Sequence, residues 1–326
     1  MAFIMQVACE KESNTSPYTD VTIAMGANSA SDVYYNLADG WVTTVNRADW
    51  DIAFSVPLQT ATILINEGAG IELYCVGDTN DWNLVDENSI TGLSPRFNDK
   101  SDWSVGAFNL NASGFPNYGW GTYHFGNPDH NVGGDSLYVI KLLDGSLKKL
   151  MIRAKLGATA ANIIRLADLD GAGESVETIP TADYVNTKHF MHYSLLHKEV
   201  VEVEPDMTEW DLLFTRFVIQ IPAGPGVIMN YPVMGILSKT GVTVARVDGV
   251  PPVGALETDA TGGYSGQTDA IGYDWKVSDP VTHEISLADS LSYFIESVDG
   301  KKYQLYFTNY GGNSAGTIDF KVKTVE

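Results

Sequence analysis

Apolar and polar residues alternate with a period of two through most of the chain, the pattern of strands with one face buried and the other wet. Near the C-terminus Ile318, Phe320 and Val322 alternate with Asp319, Lys321 and Lys323, and Val201 and Val203 alternate with Glu202 and Glu204. The runs stop at Asp-Gly pairs: Asp39-Gly40, Asp144-Gly145, Asp248-Gly249 and Asp299-Gly300. Where β-rich runs flank the pair on both sides, as around residues 144–145 and 299–300, the pattern predicts a hairpin. No segment sustains a 3.6-residue apolar period beyond about two turns. The expected class is all-β with minor helix, built as sandwiches or partly closed barrels.

The pattern also occurs twice. Tyr118-Gly-Trp120 is followed eighteen residues after the Trp by Tyr138 and six later by Asp144-Gly145; Tyr273-Asp-Trp275, Tyr293 and Asp299-Gly300 repeat those spacings. Upstream, Trp50-Asp-Ile-Ala-Phe54 matches Trp210-Asp-Leu-Leu-Phe214. A repeat of this length predicts two tandem globular domains rather than a solenoid. The expected division is a truncated signal and polar tether at 1–30, of which residues 10–30 read as tether or as an edge strand, a first copy at 31–170, a linker at 171–187 and a second copy at 188–326. A position matched in both copies reads as structural, and one present in a single copy is free to be functional. On that ground Trp50, Phe54, Trp210 and Phe214 are expected in the core, with Asp51 and Asp211 satisfying backbone N–H groups at turns.

Composition supports two packed cores. The chain has 326 residues, 44% hydrophobic and 11% aromatic, against single domains of roughly 100–150 residues. Its 41 acidic and 20 basic residues leave a formal charge of −21, and the only basic runs are the pairs Lys148-Lys149 and Lys301-Lys302. Phosphate backbones are repelled by such a surface, so nucleic acid is excluded as an expected partner. Of the two cysteines, Cys75 lies in an apolar run and reads as a packed thiol. Cys9 follows the small Ala8 after a short apolar stretch and precedes a polar segment. That arrangement resembles the end of a bacterial lipoprotein signal with a truncated start, in which the cysteine is lipidated and the protein is tethered to a membrane through it.

Tyr34-Tyr-Asn-Leu-Ala-Asp-Gly40, Trp50-Asp-Ile-Ala-Phe54 and Tyr138-Val-Ile-Lys-Leu-Leu-Asp-Gly145 together resemble the HmuY-like family of bacterial surface and secreted haem-binding proteins. Tyr193-Ser-Leu195, Trp210-Asp-Leu-Leu-Phe214 and Tyr293-Phe-Ile-Glu-Ser-Val-Asp-Gly300 repeat the likeness in the second half. The resemblance implies a Gram-negative surface or outer-membrane lipoprotein, or a secreted protein. It implies a non-enzymatic role in haem capture for iron acquisition, with haem or another porphyrin held between loops and its iron bound by His or Met. The alternative expectation is a surface adhesion module that keeps the fold and binds a glycan or protein through exposed Trp82, Trp103 and Tyr123.

The duplication then sorts the possible ligands. His192 stands where the first copy has Tyr34 and reads as an ordinary strand residue, with His189 and His197 beside it. His124 and His130 bracket the turn sequence Phe125-Gly-Asn-Pro-Asp129 and have no counterpart in the second copy. They are the first-copy candidates for the haem iron; Met229, Met234 and His283 are those of the second copy, and of these the two methionines are carried forward. No metal constellation stands out: the run Asp168-Leu-Asp170-Gly-Ala-Gly-Glu174 starts like a calcium loop but has Ile179 at the twelfth position. Nucleophile elbows, phosphate loops and dinucleotide fingerprints are missing from the sequence.

Overall fold

The computed structural model describes residues 16–325 except Asn127, Pro280, Val281 and His283. Cys9 with its flanking segment, and His283, therefore lie outside the described residues. The chain is all-β as expected: its helical content among the described residues is Gly312–Ala315 and short 3-10 turns.

Two lobes each contain an outer and an inner sheet. In the first lobe the outer sheet runs, in spatial order, Ser175–Pro180, Ala161–Asp168, Leu147–Leu156, Ser136–Lys141 and Glu72–Asp78. Its inner sheet runs Glu199–Val201, Phe190–Ser194, Ile52–Ser55 and Ile63–Ile65. The second lobe repeats both orders. Its outer sheet is Thr19–Ala24, Thr317–Val325, Lys302–Tyr310, Leu291–Glu296 and Thr243–Asp248. Its inner sheet is Val42–Asn46, Ser31–Tyr35, Leu212–Gly224 and Val227–Ser238. All of these pairings are antiparallel.

This topology corrects the expected boundaries. Thr19–Ala24, in the segment that reads as tether or edge strand, is an edge strand, and it belongs to the second lobe's outer sheet, paired with Thr317–Val325. Ser175–Pro180, placed in the linker at 171–187, is the matching edge strand of the first lobe. The hairpin of residues 31–46 pairs with Leu212–Gly224, and Phe190–Ser194 pairs with Ile52–Ser55. Each repeat thus donates its first three strands to the lobe formed by the rest of the other repeat. The first lobe covers about residues 50–201 and the second holds what lies on either side of it. A repeat spacing reports which segments are alike and carries no information on which copy a strand pairs with.

The doubled Trp-Asp motif ties this exchange together. Asp51 donates its backbone N–H to Tyr193 O and accepts Leu195 N at 2.7 Å on Oδ2. In the other lobe Asp211 N donates to Tyr35 O, and Asp211 Oδ2 accepts Leu37 N at 2.9 Å. Each aspartate satisfies backbone N–H groups as expected, and those groups belong to the opposite repeat. Burial raises both carboxyls above the usual carboxylate range, and the backbone donors oppose it. The predicted hairpins also form: Leu142 N donates to Ser146 O and Ser297 N to Lys301 O, with Gly145 and Gly300 at φ of 84° and 80° where a side chain would be strained.

Alternation builds four layers. Ile52, Phe54, Met191 and Tyr193 face Tyr138, Ile140, Ile152 and Ile164 in the first core. Tyr35, Phe214 and Ile236 face Tyr293, Leu305 and Phe320 in the second. Each such side chain contributes about 1.5–3 kcal/mol by leaving water. Trp120 and Trp275 are fully buried, one in each core. Their partners in the Tyr-x-Trp motif are not core residues, since Tyr118 is partly buried and Tyr273 is 40% exposed. The residues between these core positions, Ala53, Leu64, Phe190 and His192 on one inner sheet and Asp32, Tyr34, Leu213 and Thr215 on the other, meet between the lobes.

Candidate functional site

Two places in this frame gather chemistry. The first is a hairpin beside the outer sheet of the first lobe, Gly121–Tyr123 paired with Val132–Gly134. Its glycines permit the close approach: a Cβ on Gly134 would lie 1.7 Å from Ile152 O, and one on Gly121 2.4 Å from Gly133 O. The hairpin and the chain before it carry an aromatic cluster in which Tyr118 and Tyr123 pack against the edge of the first core while Phe115 and Phe125 stay outside it. Phe115 lies 5.5 Å from both Tyr123 and Phe125, Tyr123 lies 5.6 Å from Phe125, and Phe115 also contacts Tyr118. Phe115 is 65% and Phe125 72% exposed, so this apolar surface is left in water.

His124 and His130 both belong to this hairpin and both are exposed. The His130 ring stacks on Tyr123 at 6.3 Å, nearly parallel, and its Nδ1 lies 2.8 Å from the Tyr123 hydroxyl. When Nδ1 carries the proton and donates to that oxygen, Nε2 is a free lone-pair donor held in a fixed direction, the arrangement of a metal-binding imidazole. His124 lies over Gly133, where a Cβ would come within 2.9 Å of Nε2. The hairpin thus brings the two first-copy candidates onto one element, flanked by exposed rings.

The second-copy candidates are not brought together. Met234 is in the second core at 5% exposure, whereas Met229 sits on the exposed arm of the Leu212–Gly224/Val227–Ser238 hairpin. Five positions apart on one strand, they face opposite sides of the sheet. Among the described residues no group of three or more His, Cys, Asp and Glu is arranged to hold a metal ion.

The second place is the junction between the inner sheets, where sequence reasoning looked for nothing. A cavity of about 80 Å³ lies there, with Tyr34, Trp50, His189, His192, Glu204 and Trp210 among its walls. Trp50 meets His192 edge-on at 4.6 Å, and Trp210 meets Tyr34 in the same way at 5.1 Å, so the matched residues of the repeats form matched pairs. Trp50, expected in a core, is half-buried at this junction. The acids around it are satisfied from within the protein. Asp32 pairs with Arg47 at 2.8 Å and accepts Thr215 Oγ1 at 2.6 Å. Glu67 pairs with Lys100 at 2.5 Å and accepts Val218 N and Asn98 N. Glu204 accepts His189 N at 3.1 Å and Phe190 N at 2.7 Å, and the indole N–H of Trp210 lies near its carboxylate without hydrogen-bonding geometry.

Burial decides the protonation here. It pushes Glu204 up to about 7 against the pull of its backbone donors, and pushes His192 down to about 3. His189 is lowered by burial and by the nearby Lys239. The His192 ring and the Tyr34 hydroxyl make no hydrogen bond to another described residue. The signal for these residues was present in the sequence as alternation: Tyr34 and His192 each precede a core tyrosine, Tyr35 or Tyr193, and so must face away from the core.

The aromatic residues of the adhesion alternative are placed differently from expectation. Trp82 is 2% exposed, flanked by Lys149 at 5.0 Å and Arg165 at 4.1 Å, with its indole donating to Glu174. Trp103 is half-buried at the junction and donates to Ser238 O across the lobes at 2.8 Å. Tyr123 belongs to the aromatic hairpin.

No family model matches the sequence. No curated protein matches it either. Among solved structures, apo PinO from Porphyromonas gingivitis is similar over 96% of this chain and 99% of its own, at 9% identity and a TM-score of 0.29. The apo HmuY analog TFO of Tannerella forsythia is similar over 95% of this chain and 96% of its own, at 11% identity and a TM-score of 0.29. A protein of Bacteroides vulgatus described as HmuY-like and heme-binding covers 46% of this chain and 79% of its own, at 12% identity and a TM-score of 0.17. Likeness at these scores carries no argument about ligand, so the functional reading rests on the residues themselves.

Proposed function

We propose that this is a non-enzymatic binding protein whose leading ligand is haem or another porphyrin, taken up on the aromatic hairpin of the first lobe. One observation carries the reading: an imidazole, His130, is oriented by Tyr123 beside two aromatic rings, Phe115 and Phe125, that remain in water. A flat apolar ring laid on Phe115, Tyr123 and Phe125 removes that surface from solvent, at about 25 cal/mol per Å² covered. His130, or His124 of the same hairpin, supplies nitrogen to the iron. Both come from one hairpin and so serve one face of the ring. The junction cavity of about 80 Å³ is far too small for a porphyrin. Met234, packed in a core, takes no part.

Titrating ferric haem into the purified protein tests this. The expected result is a shifted Soret band that reports axial nitrogen ligation and is lost or moved in His130→Ala or in the His124→Ala/His130→Ala pair. No spectral change under oxidising or reducing conditions removes haem as the ligand. Surface anchoring is part of the same proposal, with Cys9 as the lipidated residue; Cys9→Ala is expected to release the protein from membranes, and unchanged fractionation refutes the anchor.

A further inference from the structure

A wider crevice of about 720 Å³ opens on the junction and shares Trp103, His189, Phe190 and Thr240 with the inner cavity. That volume falls in the range of small-molecule sites, roughly 300–1,000 Å³. Its two sides belong to different lobes: Ser55 to Thr62 and Ser101 to Ser104 on one, Thr240, Gly241 and Gly266 to Thr268 on the other. They are bolted together. Thr268 N donates to Ser101 O at 3.1 Å, Thr268 Oγ1 donates to Lys100 O, and the Trp103 indole donates to Ser238 O, whose own N–H is held within the second lobe by Thr268 O at 2.7 Å. A crevice held this way is formed before any ligand arrives, which lowers the ordering cost of binding.

The lining selects a ligand class. Among the described residues it contains no Lys or Arg, and Asp102 is its single acid. The described lining offers an anion no cationic side chain, and the chain's net charge of −21 opposes one further. Burial favours the neutral form of His189, whose ring then offers one donor and one acceptor. The side chains of Gln267, Ser104 and Thr240 make no hydrogen bond to another described residue. Asp102 Oδ1 takes Ser104 N at 2.8 Å, and Oδ2 makes no hydrogen bond to another described residue. Against these stand the apolar walls Trp103 and Phe190. Trp103 spends its N–H on Ser238 O, so what it offers a ligand is the ring. Paired donors and acceptors beside an aromatic wall, with almost no charge, suit a molecule whose edges are hydroxyls and whose faces are C–H.

We infer that the crevice between the lobes is a second binding site, separate from the aromatic hairpin, that takes a neutral saccharide. Asp102 and Gln267 engage sugar hydroxyls and Trp103 packs against a pyranose face. This goes beyond the haem reading and gives the glycan expectation a place in the fold.

The test uses the whole chain on an array of neutral and acidic glycans, followed by calorimetric titration of the best neutral binder. Asp102→Asn keeps the acceptor for Ser104 N and removes the charge, so binding is expected to weaken by about tenfold, the difference between a charged and a neutral hydrogen bond. Gln267→Ala, on an exposed loop, is expected to weaken it by about two- to tenfold. The haem spectrum of either variant should match the parent, so failure at one site is distinguishable from failure at the other. Binding of no neutral glycan, binding confined to acidic glycans, or neutral binding unchanged by both substitutions each overturns the proposal.

Discussion

Glu204 and His192 make opposite demands on pH, and the structure says how they combine. Glu204 is raised from 4.5 to about 7 by burial, so between those values the folded protein holds a proton that the unfolded chain has released. Stability contributed this way is present below pH 4.5 and is lost as pH rises through 7, at about 1.4 kcal/mol per pH unit. His192 is lowered from 6.5 to about 3, so there the unfolded chain holds the extra proton. Its contribution is present above pH 6.5 and is lost as pH falls towards 3, at the same rate. From pH 4.5 to 6.5 the two slopes cancel, and this pair leaves the parent protein level. Glu204→Gln exposes the histidine slope: relative to the parent, the variant loses about 3 kcal/mol between pH 6.5 and 4.5. His192→Gln exposes the other slope and gains about 3 kcal/mol over the same interval relative to the parent. Urea unfolding at half-unit steps reads this as variant-minus-parent differences, in which Asp32, Asp51, Glu67 and Asp211, all raised by burial, drop out. Any constant loss from replacing one carboxylate oxygen beside a backbone donor shifts the intercept and leaves the slope. Parallel curves for parent and Glu204→Gln refute the reasoning.

Three further outcomes are expected. Asp51→Ala abandons the N–H groups of Leu195 and Leu196 and should cost about 2–4 kcal/mol in urea unfolding, with Asp51→Asn milder; equal effects of the two would show that the acceptor oxygen is irrelevant. Gly68→Ala places a Cβ 2.1 Å from Arg216 O in the other lobe, so it should destabilise by about 1–3 kcal/mol and speed amide exchange along residues 212–218; exchange at parental rates would contradict the close packing. A fragment spanning residues 47–204 holds both sheets of the first lobe and should unfold cooperatively, whereas 31–170 lacks its Phe190–Ser194 strand and should not; cooperative folding of the second fragment alone would refute the strand exchange.

Much of the fold was legible because it is local. Alternation at Ile318–Val322 and the Asp-Gly hairpins follow from side-chain period and turn stereochemistry, which act over a few residues, and Trp120 and Trp275, matched in both repeats, are buried as shared positions should be. The exchange of three strands was not legible, because a β-ladder pairs residues more than a hundred positions apart and nothing in Ser31–Tyr35 names Leu212–Gly224 as its neighbour. The junction was missed for a related reason. Setting aside positions shared by the repeats discards Trp50, Trp210, Tyr34 and His192, yet a site on the contact between two repeats is built from shared positions. The aromatic hairpin was found by the same rule, since His124 and His130 belong to one repeat alone. Its ring cluster depends on Phe115 reaching Tyr123 and Phe125 across the preceding loop, a tertiary contact.

Where haem sits on the protein is measured directly by a crystal structure of the whole chain grown with ferric haem. The account predicts porphyrin density against Phe115, Tyr123 and Phe125 in the first lobe, with the iron coordinated by an imidazole of that hairpin, and none on the Met229 arm of the second. Porphyrin bound anywhere else, or iron ligated by neither His130 nor His124, would contradict it.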